Sequence, residues 1–445
     1  MTLPTYQPEV RQITQFGVEA TPGTLVAAAK QFHSAKFDLD PKKPTSKVMQ
    51  AGNLFPVDSS PGKGHTEIGV KGDLSVVDAI YLLATQLKAP VFSTPVGGTL
   101  SRLATFTLDS FNANAKKTLS IQKGGPGSGN AKKVAYCQMV DFACDFTPDK
   151  PVSFTAKMFG RNRSSGQTLT TVNEVQTLTI GGTGLGGTFT LTILGVETAD
   201  ITWSGTNATL LANINAQLDL NPYLGAGGAV ATAGTLASGI GTVLITFSGT
   251  TVANKSIGTI TADGTNLTGS TPTVAMTRTT PGGIATLTPS ILFGTSIDVY
   301  IAATEAGLAA GQVYPLTCKF NLSKFLGDVY SLNSATSSFD AMVEVAPGAE
   351  FDLTLPDDST GEAFVDSIDT STRYFIEIIA KGALIEGSLY NQMRVRAPIR
   401  FSDPSEGTAQ DVHTIGLKAA INHDDAFNEI GGALLVECQS TLTAL

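Results

Sequence analysis

Between Arg163 and Lys255 the sequence contains no lysine or arginine, and it is written almost wholly in Thr, Gly, Ala, Ser, Ile, Leu and Val. On either side, ordinary Lys, Asp and Glu usage returns. A shift this abrupt, entered through Arg163-Ser-Ser-Gly-Gln167 and left through Thr280-Pro-Gly-Gly283, marks a domain boundary at each end. Strand-like sequence resumes beyond the exit, so 172–282 is expected to be a domain inserted into a loop of another. Such insertions are tolerated at exposed loop tips whose two ends lie close together. The host then folds from 46–171 together with 283–445. Residues 1–45, punctuated by Pro4, Pro8, Pro22, Pro41 and Pro44, read as an N-terminal arm that lies on a neighbour.

Few charged residues (15%), abundant glycine (46 residues) and recurring short Thr runs favour β-structure over a helical or a disordered chain. The formal net charge of −9 argues against duplex DNA or an anionic membrane as a tightly held partner. It does not argue against a surface past which nucleic acid slides. Cys137, Cys144, Cys318 and Cys438 lack CxxC spacing and read as free thiols of a reducing compartment. The start has no basic and apolar leader, and no apolar run reaches membrane-spanning length, so a soluble chain made in the cytoplasm is expected, with no membrane insertion.

In the host, Asp73–Ala89 is the clearest helix. Leu74, Val77, Ile80, Tyr81, Ala84 and Leu87 recur at three- and four-residue spacing, with Asp73 placed to cap the start and Pro90 to stop the end. Strands are expected at Leu103–Phe111, Lys117–Gln122, 133–146 and Val152–Phe159. After the insert they continue at Ile291–Ala302, Tyr314–Leu322, Phe339–Val345, Glu350–Leu355, Tyr374–Lys381 and Tyr390–Phe401, and close at Gly416–Asn422 and Gly432–Leu442. Inside the insert, Glu174–Ile180 and Thr188–Leu194 read as strands paired around a glycine-rich turn. Ile201–Trp203, Thr242–Phe247 and Thr271–Thr277 add to them, crossed by one helix, Asn207–Leu220. The expected class is mainly β: a β-sandwich or barrel-forming host with one α-helix, plus a small inserted β-rich domain with one helix.

Motifs for chemistry are scarce. Gly182-Thr-Gly-Leu-Gly-Gly187 matches G-x-G-x-x-G, but a strand follows it where a dinucleotide site needs a helix, so a hairpin turn is expected. Gly124-Gly-Pro-Gly-Ser-Gly129 resembles a phosphate cradle, yet Asn130 stands where the Walker lysine belongs. The loop is better read as an exposed tip. Lys116, Lys117, Lys123, Lys132 and Lys133 give it local positive charge, suited either to an acidic neighbouring surface or to plain solvation. His423-Asp424-Asp425 lacks a second ligand cluster, and Asp357, Asp358, Asp366 and Asp369 lack calcium-loop spacing and read as a solvated loop. No nucleophile elbow or HExxH occurs. No enzyme, no cofactor and no metal are expected.

Three stretches resemble a known family. Phe16-Gly-Val-Glu-Ala-Thr-Pro-Gly-Thr-Leu-Val-Ala-Ala28 resembles the opening phrase of the major tail tube proteins of long-tailed (siphovirus-type) bacteriophages, and the ending from Tyr390 through Pro398 to a last strand is similar to theirs. The insert resembles an Ig-like module carried by phage structural proteins. It opens on Asn173-Glu-Val-Gln-Thr-Leu-Thr179 and closes on Thr261-Ala-Asp-Gly-Thr-Asn-Leu-Thr-Gly269. The resemblance implies a virion protein of the phage tail, stacked as hexameric rings into a hollow tube whose inner strands join edge to edge. DNA passes through the lumen without specific binding, and tail-tip, tape-measure and tail-terminator proteins are the implied partners. The arm and the glycine loop would supply contacts between subunits or rings, with Phe16, Pro22, Phe32, Lys123, Gly125, Gly127, Gly129 and Lys132 as candidates, while the insert decorates the exterior. The rivals are another phage structural protein (capsid decoration or baseplate), a β-module surface adhesin, and a glycan-active enzyme.

Overall fold

The computed structural model describes residues 12–51, 53–94, 97–108, 114–125, 129–332, 335–345, 347–424, 427 and 432–445. The protein is mainly β. It divides into two compact units, one formed by residues up to Leu169 with Thr286–Leu445, the other by Thr170–Ala285. Among the described residues the α-helices are α1 (Val76–Gln86), α2 (Asn207–Asp219) and α3 (Ser359–Asp369).

The first unit is built from antiparallel ladders around α1. One sheet runs in the order Lys36–Lys42, His65–Asp73, Ser153–Gly160, the second half of the long strand Ala131–Phe146, Thr317–Ser323, Gly348–Pro356, Val412–Ile421 and the last part of Leu389–Ala409. A second runs Gln312–Val313, Ile297–Ala302, Tyr374–Glu386, the first part of Leu389–Ala409, Leu435–Ser440, Arg102–Thr107 and Val91–Phe92. The first half of Ala131–Phe146 belongs to a third, with Leu119–Gly124 and Ile13–Val18. The two long strands thus pass from one sheet to another and tie the layers together.

Every residue of α1 is buried. The helix packs against Ala131–Phe146 on one side and Leu389–Ala409, Leu435–Ser440 and Arg102–Thr107 on the other, so it is enclosed all round, where the sequence predicted a single apolar face. Each large aliphatic side chain buried here contributes about 1.5–3 kcal/mol, so packing and not propensity holds the helix. Several of its polar atoms find partners, although the Tyr81 hydroxyl and Gln86 Oε1 are buried without one among the described residues. Gln86 Nε2 donates to the Val140 carbonyl at 3.0 Å, and Thr85 Oγ1 donates to Leu82 O at 2.7 Å while accepting from Met139 N at 3.1 Å. The expected cap at Asp73 is not used, because Asp73 ends the preceding strand. The first amides instead donate to Ser290, from Val76 to its carbonyl at 3.0 Å and from Val77 to its hydroxyl at 3.2 Å. A residue far along the chain does the work of an N-cap.

Two other expectations change. The arm is not separate from its described start at Gln12. Ile13–Val18 pairs with Leu119–Gly124 from Ile13↔Gly124 to Val18↔Leu119, and Lys36–Lys42 pairs with His65–Asp73. Phe16, Phe32 and Phe37 supply the burial that makes this docking favourable. Second, the loop expected around Asp357–Asp369 is α3, which gives the host a second α-helix. Asp358 caps it, its Oδ1 accepting from Thr360 N and Gly361 N at 2.9 Å each, and Phe364 stacks against Phe401 at 5.0 Å.

In the second unit the bent strand Val175–Ile193 is the spine. Its first half lies between Gly241–Phe247 and Leu267–Thr280, with Ala229–Ala233 beyond Gly241–Phe247. Its second half pairs with Ile201–Thr202, Thr261–Asp263 and Val196–Glu197. The glycine run is therefore not a hairpin turn. Glu174–Ile180 and Thr188–Leu194 do not pair with each other; Gly181, Thr183 and Gly186 stay on the Leu267–Thr280 ladder through register shifts. Gly182 (φ 126°), Gly184 (φ 60°) and Gly187 (φ 80°) supply backbone conformations that let the strand bend. The helix α2 buries Leu210, Ile214 and Leu218 on this sheet, and Trp203 donates its indole N–H to Gly239 O at 3.0 Å.

Candidate functional site

The family-like phrases become legible as carboxylate staples. Glu19, buried, takes Gly23 N at 2.6 Å and Thr118 Oγ1 at 2.8 Å on one oxygen, and Ser120 Oγ at 2.7 Å and Tyr136 N at 2.9 Å on the other. It fixes the Thr21–Thr24 turn, where Gly23 adopts φ +82°. Glu174 does the same in the second unit. Its Oε2 accepts from Ile257 N at 2.6 Å, Arg278 Nη2 at 2.8 Å and Gly282 N at 3.2 Å, and its Oε1 from Gln176 Nε2 at 2.5 Å. With Gly283 N on Val172 O at 2.8 Å, this clamps the start of the unit to its end. A third staple, Glu386, accepts the amides of Thr99, Leu100 and Ser101 at 3.0, 2.7 and 2.8 Å, and those bonds, Thr99's foremost, lower its pKa. These groups hold loops; they present no reactive atom.

Among the described residues no group of three or more His, Cys, Asp or Glu side chains is arranged to hold a metal ion. The four cysteines are free and buried, and burial pushes each thiol's pKa up. Asp424 is engaged by Arg373; Asp425 lies outside the described residues. No helix among the described residues is long and apolar enough to cross a membrane.

The eight residues expected at subunit contacts separate. Phe16 and Phe32 stack on each other at 4.1 Å inside the core, so their rings face this chain's own interior. Lys123 is tied inward by the Phe37 carbonyl and by Asp38 at 3.3 Å. Gly125 is buried, and Gly127 lies outside the described residues. Pro22, in the turn held by Glu19, and Gly129 are exposed, and Lys132 is half-buried. Lys132 stands directly across from Lys123, and burial, followed by Arg163 and Lys123, lowers its pKa.

The surfaces that stand out are elsewhere. The body's own sheet edges are short or blunted. At Lys36–Lys42 the carbonyls of Phe37 and Leu39 are taken by Lys123 and Arg163, and Pro41 has no N–H. Val91–Phe92 and Gln312–Val313 hold two residues each. Two ribbons, in contrast, project, the first with both faces wet and the second only at its tip. In the hairpin formed by Thr45–Val48 and Asp58–Pro61 every described residue is exposed, and its loop carries Met49, Leu54, Phe55 and Val57, with Leu54 86% and Phe55 75% exposed. In the other, Leu389–Ala409 and Val412–Ile421 continue past the sheet to a tip at Gln410 and Asp411, both left-handed. Residues 403–408 and 410–413 are exposed.

A groove of about 1310 Å³ at the root of the first hairpin is lined by Pro41, Pro44, Lys63, His65, Tyr330 and Leu332. His65 anchors it, with Nδ1 at 2.9 Å from the Tyr330 hydroxyl and its ring 5.0 Å from that of Phe159. The hairpin escaped the sequence reading because Val48, Met49, Leu54, Phe55 and Val57 follow no strand or helix period. The apolar cluster between Pro44 and Pro61, with no face to bury, was the available signal.

Compared with known proteins, the chain matches no family model, and no curated protein is significantly similar to it.

Proposed function

We propose that this chain is the repeating subunit of a hollow tube, the tail tube of a long-tailed bacteriophage, built from stacked rings of identical copies. The observation that carries the reading is the Thr45–Pro61 hairpin, which holds Leu54 and Phe55 86% and 75% exposed and outside the hydrophobic clusters of the described residues. A two-stranded ribbon wet on both faces is marginal by itself, and a clustered apolar tip marks a protein–protein contact. Two such ribbons on a body whose other edges are blunted suit self-association through the ribbons. The same contacts repeated head to tail give a closed ring or a filament.

The resemblance at Phe16–Ala28 supports the choice of a tube over other polymers. The net charge of −9 suits a lumen through which DNA travels without sticking. On this reading the protein resides in the virion, its tube ends meet tail-tip, tape-measure and terminator proteins, and the inserted unit decorates the exterior.

Negative-stain microscopy of the purified chain tests the reading. Wild-type protein is expected to form rods of uniform width, and L54S/F55S to remain folded by circular dichroism yet to need at least about tenfold more protein for rods, the loss of ~1.4 kcal/mol or more per contact. Wild-type protein that stays monomeric at every concentration reached, in the presence and absence of a crowding agent, removes the proposal. Rods from L54S/F55S at wild-type concentrations would instead remove the hairpin from the contact.

A further inference from the structure

The second ribbon and the lysine-bearing ladder of the first unit carry opposite, unspent charge. On Ala131–Phe146, Lys132 lies opposite Lys123, and Lys133 opposite Gln122 and Ser164. Like charges directly opposite in a sheet are destabilising, and no carboxylate pairs with Lys132 or Lys133 among the described ion pairs. Arg163, close enough to depress Lys132, spends its guanidinium on the Leu39 carbonyl at 3.0 Å. Lys123 is answered by Asp38 at 3.3 Å, so in a protein of net charge −9 the cations of this ladder without a carboxylate among the described ion pairs are Lys132 and Lys133.

The ribbon beyond Phe401 is its complement. Asp403, Glu406 and Asp411 are exposed on it and in no ion pair among the described residues, and no Lys or Arg occurs between Phe401 and Thr414. Its other titratable group is His413, while Arg400 and Lys418 stand at its root. A register shift at Asp403-Pro404, with Asp403 at φ 50°, interrupts the ladder, which resumes at Ser405↔Gly416. Val412–Ile421 stays paired with Gly348–Pro356 up to Pro356↔Thr414, so the ribbon passes the sheet only from Gly407↔Thr414 to its tip, about 10 Å at ~3.3 Å per residue, with Asp403 and Glu406 on the strand edge below it.

We infer that the ribbon of one copy docks on the Lys132–Lys133 ladder of the next, placing Asp403, Glu406 and Asp411 against the two lysines and Arg163. The occupant is a second copy of this chain because the two patches are of opposite sign, while the chain as a whole, at net charge −9, repels a like one. Contacts of this kind steer association and fix register more than they supply bulk affinity, a role distinct from that of the apolar hairpin tip. The inference rests on the polymer reading above.

The test is a charge swap in the full-length chain, followed by sedimentation velocity and negative-stain microscopy in about 50 mM and about 500 mM NaCl, between which screening shortens several-fold. K132E/K133E and, separately, D403K/E406K/D411K are each expected to raise the concentration needed for assembly at least tenfold at low salt. The combined quintuple variant is expected to return to within about twofold of wild type, since the swap restores attraction. Circular dichroism melts confirm that each variant is folded, and the quintuple variant's recovery excludes misfolding as the cause. Wild-type assembly with either single-side variant behaving as wild type, or with folded variants whose combination does not recover, overturns the inference and leaves the polymer reading intact. Wild-type protein that never assembles overturns both. Salt-sensitive binding of a duplex DNA oligonucleotide, abolished in K132E/K133E while assembly is unchanged, would reassign the lysine ladder to nucleic acid and overturn the docking.

Discussion

Glu174→Ala should destabilise the inserted unit selectively, and the chain contains its own probe for it. The Glu174 side chain is wholly buried, and truncating it takes the acceptor from the amides of Ile257 and Gly282 and the counter-charge from Arg278, while Gln176 Nε2 keeps the Gly258 carbonyl at 3.0 Å and Arg278 Nη2 the Ser256 hydroxyl at 2.6 Å. A buried donor left unpaired costs about 1–3 kcal/mol, and breaking a buried ion pair from one side about 3–5 kcal/mol. Arg278 is 31% exposed and reaches water when released, so the arginine's share falls toward the lower figure. The expected loss is about 3–5 kcal/mol, against roughly 6–17 kcal/mol for a unit of this length at ~0.05–0.15 kcal/mol per residue. The unit should therefore still fold, melting roughly 10–25 °C lower. Trp203 is the only tryptophan in the chain, and it packs against the inserted unit's core, so its emission in a urea titration reports that unit while far-ultraviolet circular dichroism reports both. The reasoning is refuted if the tryptophan midpoint in E174A matches wild type, or if the first unit's transition moves by as much. Glu174→Gln, which retains one acceptor oxygen, should fall between the two.

Gly23→Ala should cost about 1–2 kcal/mol, because φ +82° is left-handed and disfavours any Cβ; a calorimetric melt of the first unit checks it, and an unchanged melting temperature would mean the Glu19 turn re-forms otherwise. Asp78, buried on α1, accepts from His33 N at 3.4 Å and from Ser34 N at 3.1 Å and its hydroxyl at 3.0 Å, yet burial outweighs these bonds and raises its pKa. A carboxyl raised on folding binds its proton more tightly in the native state, so its contribution to stability is fullest below the ordinary carboxylate value and fades as pH rises through the raised one. The wild-type minus D78N stability difference, from urea titrations, should grow as pH falls from neutral toward 4, and a flat difference would refute the assignment.

What the sequence showed follows what each element buries. Gly348–Pro356 alternates half-buried and buried side chains, with Phe351, Leu353 and Leu355 inward, so a period of two sufficed to find it. The three- and four-residue spacing of Leu74 to Leu87 identified α1, but spacing cannot reveal that Asp78, Thr85 and Gln86 are buried too, because that depends on sheets contributed by distant strands. α3 was invisible because Ser359, Thr360 and Gly361 open it and only Phe364, Val365 and Ile368 mark its inner side. The ribbons had no period to find. A strand pair wet on both faces alternates nothing, and Asp403-Pro404 reads as a stop although the ladder resumes at Ser405↔Gly416.

The staples explain why the most family-like phrases say little about assembly. Glu19, Glu174 and Glu386 each direct a carboxylate at backbone amides of a loop that has no ladder of its own, and Asp78 does so from the central helix. A loop held this way takes its shape from the acidic residue and the turn residues beside it, whatever its outward side chains meet. On the proposed reading the surfaces by which one copy meets another need complementarity to a partner, and Leu54, Phe55, Lys132 and Asp411 belong to no core cluster or ion pair among the described residues. For a chain with 15% charged residues, a carboxylate facing inward with several donors and one facing solvent with none are therefore different instruments. The first kind fixes the fold; on the proposed reading, the second kind selects the neighbour. Removing Glu174 should lower stability without altering assembly geometry, whereas reversing Asp403, Glu406 and Asp411 should alter assembly with the melting temperature held, and a variant set that mixes the two outcomes would dissolve the distinction.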